Sequence, residues 1–218
     1  MPKDPEQLAH QQWLGYVQPV GLVVSIPAML AAQAHVNRNI APEHQRFLGT
    51  LCRDKHDELV PEIQDFWAFT QTVLGWEPGD LVEVDSCQLP VVSSEKSYSS
   101  ASLTTDNGPL TTDDLEVTLT AYNETLRPTW AVRELEPKGP AHPWLMLIQA
   151  VPRGADFDEV AAKDERHWQA SPHARFERLL RETEVPIGLL ASATDLRLVY
   201  APRGETSGYM TFPVKAMA

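Results

Sequence analysis

The stretch Trp144-Leu-Met-Leu-Ile-Gln-Ala-Val151 carries no charge, and its only strongly polar side chain is Gln149. Such a run predicts a strand in the interior of a sheet, covered by other elements on both faces. A strand of that kind needs neighbours on each side, and the flanking sequence supplies them. Leu115-Glu-Val-Thr-Leu-Thr-Ala-Tyr122 alternates with the period of a strand, placing Leu115, Val117, Leu119 and Ala121 on one side. Thr129 to Leu135 reads as a second short strand. After the apolar run a helix is predicted from Pro172 to Thr183, with Phe176, Leu179 and Leu180 sharing a face. Pro186 to Ala191 and Leu196 to Tyr200 follow as two more strands, joined by the tight turn Ser192-Ala-Thr-Asp195. The order predicts an α/β (α+β) fold, a mixed sheet flanked by helices.

The part before this module reads differently. Residues 1–80 are expected to be mainly helical: Leu8, Trp13, Leu14, Tyr16 and Val17 offer one face, and Ile63, Phe66, Trp67, Thr70, Val73 and Leu74 another. Pro19, Pro27, Pro42 and Pro61 divide it into short helices. Residues 81–114 are read as a polar loop or linker, since Ser93 to Asp114 is dominated by Ser, Thr, Asp, Asn and Gly. Residues 115–218 form the predicted sheet domain.

Charge restricts the function. The 218 residues carry a formal net charge of −12, and residues 1–80 alone hold five Lys/Arg against ten Asp/Glu. Strong unaided binding to nucleic acid needs a basic surface, so any contact with DNA must be local or supplied by another part of a larger protein. The longest apolar candidate for a membrane span, Gly21 to Ala34, is too short and contains Pro27. The N-terminus shows no secretion pattern, and two cysteines, Cys52 and Cys87, suit a reducing compartment, so a cytoplasmic location is expected. No Cys/His cluster has the spacing of a zinc site.

Four segments in order carry a resemblance: Arg127-Pro-Thr-Trp-Ala, Leu147-Ile-Gln-Ala-Val-Pro, Pro152-Arg-Gly-Ala-Asp-Phe-Asp158, and Pro186-Ile-Gly-Leu-Leu-Ala-Ser-Ala-Thr-Asp-Leu-Arg-Leu-Val-Tyr200. They resemble the PD-(D/E)xK nuclease fold as it occurs in type I restriction subunits and in fused type IIG-like restriction–methylation enzymes. There a Pro-Asp begins one strand, a Glu-x-Lys ends the next, and a helix and a hairpin follow. The resemblance covers about half the chain, from Leu115 to the C-terminus. It implies a module of a bacterial restriction–modification or phage-defence protein of the DISARM or BREX kind. Such proteins continue into an adenine-type DNA methyltransferase domain, so S-adenosylmethionine is expected to bind outside these residues. The segment Gly208 to Ala218 reads as the start of a further helix leading there. DNA and other defence-system subunits are the implied partners, and a membrane is not.

In the resembling families the Asp and Glu hold a divalent metal through anionic oxygens, and the Lys positions or deprotonates the attacking water. The corresponding residues here are Thr129, Gln149 and Val151. Thr and Gln offer neutral oxygens and Val offers no charge, so no metal and no nuclease activity are expected at this site. Displaced carboxylates would be an alternative. Glu136-Pro-Lys138 is a literal Glu-x-Lys preceded by Glu134, and Asp113, Asp114 and Glu116 lie on an earlier segment. The Glu-x-Lys sits among prolines and glycine, where a metal site would be poorly preorganised. Asp156 and Asp158 are expected to cap the turn and the next helix. The histidines, His10, His35, His44, His56, His142, His167 and His173, are scattered and read as surface or structural.

The remaining nucleic-acid candidates are Arg175, Arg178 and Arg181 on the predicted helix, with Arg197 and Arg203 at the final hairpin. Guanidinium groups match phosphate oxygens. Glu177, Glu182 and Glu184 lie beside them, and intrahelical pairs compete for the same groups. Three functions are thus open: a catalytically inactive nuclease-like scaffold or docking module, an active endonuclease with displaced carboxylates, and a free-standing protein-interaction module.

Overall fold

The computed structural model describes residues 4–37, 39–84, 104–105, 108–109, 112, 115–134, 143–160 and 168–218. The apolar run becomes strand β9 (Trp144–Ala150), inside a six-stranded sheet. Its neighbours are β8 (Trp130–Arg133), which is antiparallel, and β10 (Ile187–Ala191), which is parallel. The parallel step is made possible by the helix between them, α5 (Pro172–Thr183), which carries the chain back along the sheet. Strand β11 (Asp195–Tyr200) pairs antiparallel with β10, and β12 (Gly208–Pro213) with β11. On the far side, β3 (Leu81–Glu83) pairs antiparallel with β8. The sheet is therefore mixed and flanked by helices, as predicted.

Two cores explain why β9 is apolar over Trp144–Ile148. Leu147 and Val151 face α5, where they meet Phe176, Leu179, Leu180 and Phe157. The same core takes Leu115, Leu119 and Leu126 from a small hairpin of β6 (Val117–Leu119) and β7 (Glu124–Leu126). Met146 and Ile148 face the opposite layer, with Phe47, Leu51, Ile63, Phe69 and Val214. Helix α5 approaches β10 closely at Gly188, where a Cβ would stand 2.5 Å from the Phe176 ring. Its start matches the sequence: Ser171 accepts a hydrogen bond from the Ala174 amide and Pro172 opens the first turn.

The first 80 residues hold α1 (Pro5–Val17), α2 (Ile26–Ala31), α3 (Ala41–Leu48) and α4 (Phe66–Thr72). The mainly helical reading fails between them, where β1 (Leu51–Arg53) and β2 (Leu59–Ile63) form an antiparallel hairpin. Turn chemistry decides this. The Asp54 carboxylate accepts from the amides of His56 and Glu58, and Asp57 adopts φ 63°, closing a turn that helical periodicity does not register.

Three more segments differ from the expectation. The segment 81–114 is not wholly linker, because β3 is a strand of the main sheet, its Leu81 buried. Two short strands, β4 (Thr104–Thr105) and β5 (Gly108–Pro109), also pair within it. The alternation predicted over Leu115–Tyr122 holds as strand only for Val117–Leu119. It then tightens into a 3₁₀ turn, Thr120–Tyr122, closed by Asn123 at φ 48°. Gly208 to Pro213 is a strand, and only α6 (Val214–Met217) is helical. A turn containing Gly204, at φ 79°, folds Gly208–Pro213 back onto β11, which supplies the pairing partner that the sequence reading lacked.

The outer edge of β12 is covered near Tyr209 by the N-terminal segment. Val20 exchanges two backbone hydrogen bonds with Tyr209, both 2.8 Å. The backbones approach so closely that a Cβ on Gly208 would lie 2.8 Å from the Leu22 backbone.

Candidate functional site

Thr129 precedes β8 and Gln149 lies near the end of β9, and the structure brings them into direct contact. The Gln149 side-chain amide donates to Thr129 Oγ1 at 3.2 Å and to the Ala150 carbonyl at 3.1 Å. Thr129 Oγ1 also accepts from the Ala150 amide at 2.9 Å, and the Thr129 amide donates to the Ile148 carbonyl at 2.8 Å. Thr129 is buried. Its hydroxyl oxygen thus carries two donors, and its backbone is locked into the sheet.

Val151 lies in the α5-side core, and its amide donates to the Ala191 carbonyl at 2.8 Å. A divalent cation at this position would have to strip these neutral groups from one another and be repaid by two weak oxygen donors without charge. The residues present do not fit a metal ion.

Register extends the same face sideways. Gln149 stands opposite Leu190, Leu190 opposite Arg197, and Arg197 opposite Thr211, so these four share one row across β9 to β12. Arg197 is buried. Its guanidinium makes a bidentate pair with Asp158 at 2.6 and 2.8 Å, and its Nε donates to Thr211 Oγ1 at 2.9 Å. It also stacks over Tyr209 at 4.3 Å and Phe157 at 5.1 Å. The Arg197 partnership holds the Asp158 carboxyl below its ordinary value. Asp158 therefore binds an arginine rather than capping α5, whose cap is Ser171; Asp156 does close the turn, accepting from the Asp158 amide at 2.7 Å.

The other predicted arginines are also paired. Arg175 is buried and forms an ion pair with Glu124 on β7, whose side chain is only 11% exposed. It donates to the Trp168 and Ala170 carbonyls and lies 5.2 Å from the Trp168 ring. Burial pushes its pKa down. Arg178 pairs with Glu182 at 2.8 Å, Arg181 with Glu177 at 2.7 Å, and Arg203 with Glu184. The five arginines therefore do not form one phosphate-binding strip: Arg175 and Arg197 are buried against the core, and the more exposed three share their charge with glutamates.

Comparison with protein families, curated proteins and solved structures finds no match. Function must therefore be argued from the side chains themselves.

Of the alternative carboxylates, Glu116 is engaged by Arg127. Asp113, Asp114, Glu136 and Lys138 lie outside the described residues, as do Cys87, His142 and His167. Among the described residues no three His, Cys, Asp or Glu side chains are grouped as they would be around a metal, and no helix is long and apolar enough to cross a membrane.

Sequence reasoning missed His173 as part of the Arg197 cluster. Its ring packs edge-on against Tyr209 at 4.8 Å, and its Nε2 is 3.9 Å from Glu177. Burial, and next the nearby Arg197 charge, lower its pKa. A signal existed in the hairpin: Arg197 alternates with Leu196 and Leu198 on a strand that is covered on both faces, so it had to be buried with an anionic partner.

Proposed function

We propose that this chain is a catalytically silent, nuclease-like module of a bacterial restriction–modification or phage-defence DNA methyltransferase, where it serves as scaffold and docking domain. The Thr129–Gln149 hydrogen bond carries the reading. Two positions that bear metal-binding carboxylates in the resembling families here satisfy each other, and Val151 takes the lysine position as part of the core. A β8–β9–α5–β10–β11 order with parallel β9 and β10 supports the same resemblance. S-adenosylmethionine would bind elsewhere in the longer protein, and the cytoplasm is its setting.

The arginine pairing favours docking of a partner subunit over grasping DNA. With net charge −12 and the described arginines of the last third committed to carboxylates, duplex DNA should bind no more tightly than about 10⁻⁴ M at physiological salt. The deciding assay is cleavage of supercoiled plasmid in Mg²⁺ or Mn²⁺, with Gln149→Glu/Val151→Lys as comparison. The unaltered chain is expected to leave the plasmid intact. Cutting by the unaltered chain would instead establish an endonuclease with displaced carboxylates.

A further inference from the structure

Residues 7–37 contain no Asp, Glu, Lys or Arg, although the whole chain carries a net charge of −12. A surface left to water normally carries charged side chains, yet this segment lies at the surface. His10 is the only buried residue of α1 and Met29 the only one of α2, and neither belongs to the two cores of the sheet. Tyr16 is 87% exposed and Leu22 65%, and Leu8 and Val20 are open to water as well. An element that buries so little apolar surface is weakly held. His10 itself opposes the docked position, because both its ring nitrogens are enclosed without a hydrogen-bond partner among the described residues.

This arm is fixed to the body at the edge of β12, on which α1 packs and where Val20 and Tyr209 exchange their two backbone hydrogen bonds. The fit requires glycine on both sides. Gly21 adopts φ 70°, and a Cβ there would lie 2.7 Å from the Ser207 carbonyl oxygen; a Cβ on Gly208 would stand 2.8 Å from the Leu22 backbone. A strand without glycine at the place of Gly21 would strike this edge. The open edge is also short. Tyr209 turns its N–H and C=O outward, Thr211 repeats that direction, and Pro213 then offers no N–H. The strand that fits is therefore residues 20–22 of this sequence, and every copy of the chain carries it.

We propose that two copies of this chain exchange residues 5–34, so that Val20 of one copy pairs with Tyr209 of the other. The link to α3, residues 35–40, can extend over about 20 Å, which carries the arm to a neighbouring body. Within that link the Asn37 side chain accepts from the Asn39 amide at 2.9 Å, a local turn that can straighten without disturbing either core. Reciprocal exchange closes a two-fold dimer. It conserves the contacts between arm and body, so the dimer is favoured by the new interface, where Tyr16 and Leu22 leave water. Two bodies of like net charge repel one another, and residues 7–37 let them meet with no like charges opposed.

The chain is refolded from urea at about 1 mM, and its mass is followed by light scattering after equilibration at dilutions down to about 10 µM. A dimer that dissociates on dilution is expected. An equal mixture of ¹⁵N-labelled and unlabelled chains, refolded together, should then give an isotope-filtered NOE between the Val20 and Tyr209 amide protons of different copies. Tyr16→Glu alters a side chain exposed in the monomer, so the fold should be kept while the dimer weakens about tenfold or more. Gly208→Ala strikes Leu22 in either arrangement and should yield a monomer whose arm is undocked. A chain that stays monomeric at the highest concentration would overturn the proposal. So would a dimer whose Val20–Tyr209 contact remains within one chain, or one that Tyr16→Glu leaves unweakened.

Discussion

Arg175 and Glu124 illustrate how burial changes the value of a charge. Their ion pair lies under the β6–β7 hairpin, with both side chains largely removed from water. Truncating one partner leaves the other without compensation, so Arg175→Ala should destabilise the fold by about 3–5 kcal/mol in urea unfolding. The exposed pair Arg178–Glu182 should contribute about 0.5 kcal/mol or less, and Arg178→Ala serves as the control. Thr129→Val removes the acceptor of the Ala150 amide and of the Gln149 side chain, and should cost about 1–3 kcal/mol. At this scale the absence of carboxylates at Thr129 and Gln149 was legible in the letters alone. Their hydrogen bond was not, nor was the partner of any arginine outside its own helix. A guanidinium reads identically whether Glu124 lies beneath it or water does; only the approach of a distant hairpin decides.

Close approach of backbones is what positions the elements. Gly188 lets α5 settle on β10, and Gly188→Ala should lower stability by about 1–3 kcal/mol, because the buried Phe176 ring cannot move aside. Gly208→Ala strikes backbone rather than a side chain, against Leu22. It should free residues 20–22 from the β12 edge, seen as lost exchange protection at the Val20 and Tyr209 amides with the sheet otherwise retained. Elements with strong local signals were readable from sequence. The bounds of α5 follow from Ser171, Pro172 and the Phe176–Leu179–Leu180 face, and β9 follows from its apolar run Trp144–Ile148. The β1–β2 hairpin and β12 were not, because each depends on a turn (Asp54–Asp57 and the Gly204 turn) and on a partner strand that periodicity does not reveal.

Across the described residues, two layers cover a mixed sheet, and the α5-side layer closes over a face where Thr129 meets Gln149 and Arg197 meets Asp158. That arrangement sets the response to acid. His173 has its pKa lowered from 6.5, so the unfolded chain takes up a proton first as pH falls. Stability should therefore decline from about pH 6.5 down through the lowered folded value. Asp158 is lowered from 3.8, so its contribution is present above that value and is lost as pH falls through its folded value. Urea midpoints should accordingly fall as the pH drops below about 6.5, and His173→Phe should lessen that fall. The central claim concerns the row between β8 and β9, where the proposed reading has neutral groups, Thr129 and Gln149, in the positions of metal ligands. Titration of Mn²⁺ into the isotopically labelled protein tests it most directly, through paramagnetic broadening of the Gln149 side-chain amide and the Ala150 backbone amide. Both signals should persist unbroadened at millimolar Mn²⁺; their selective loss at a stoichiometric ion would show a metal seated between the two strands and contradict the account.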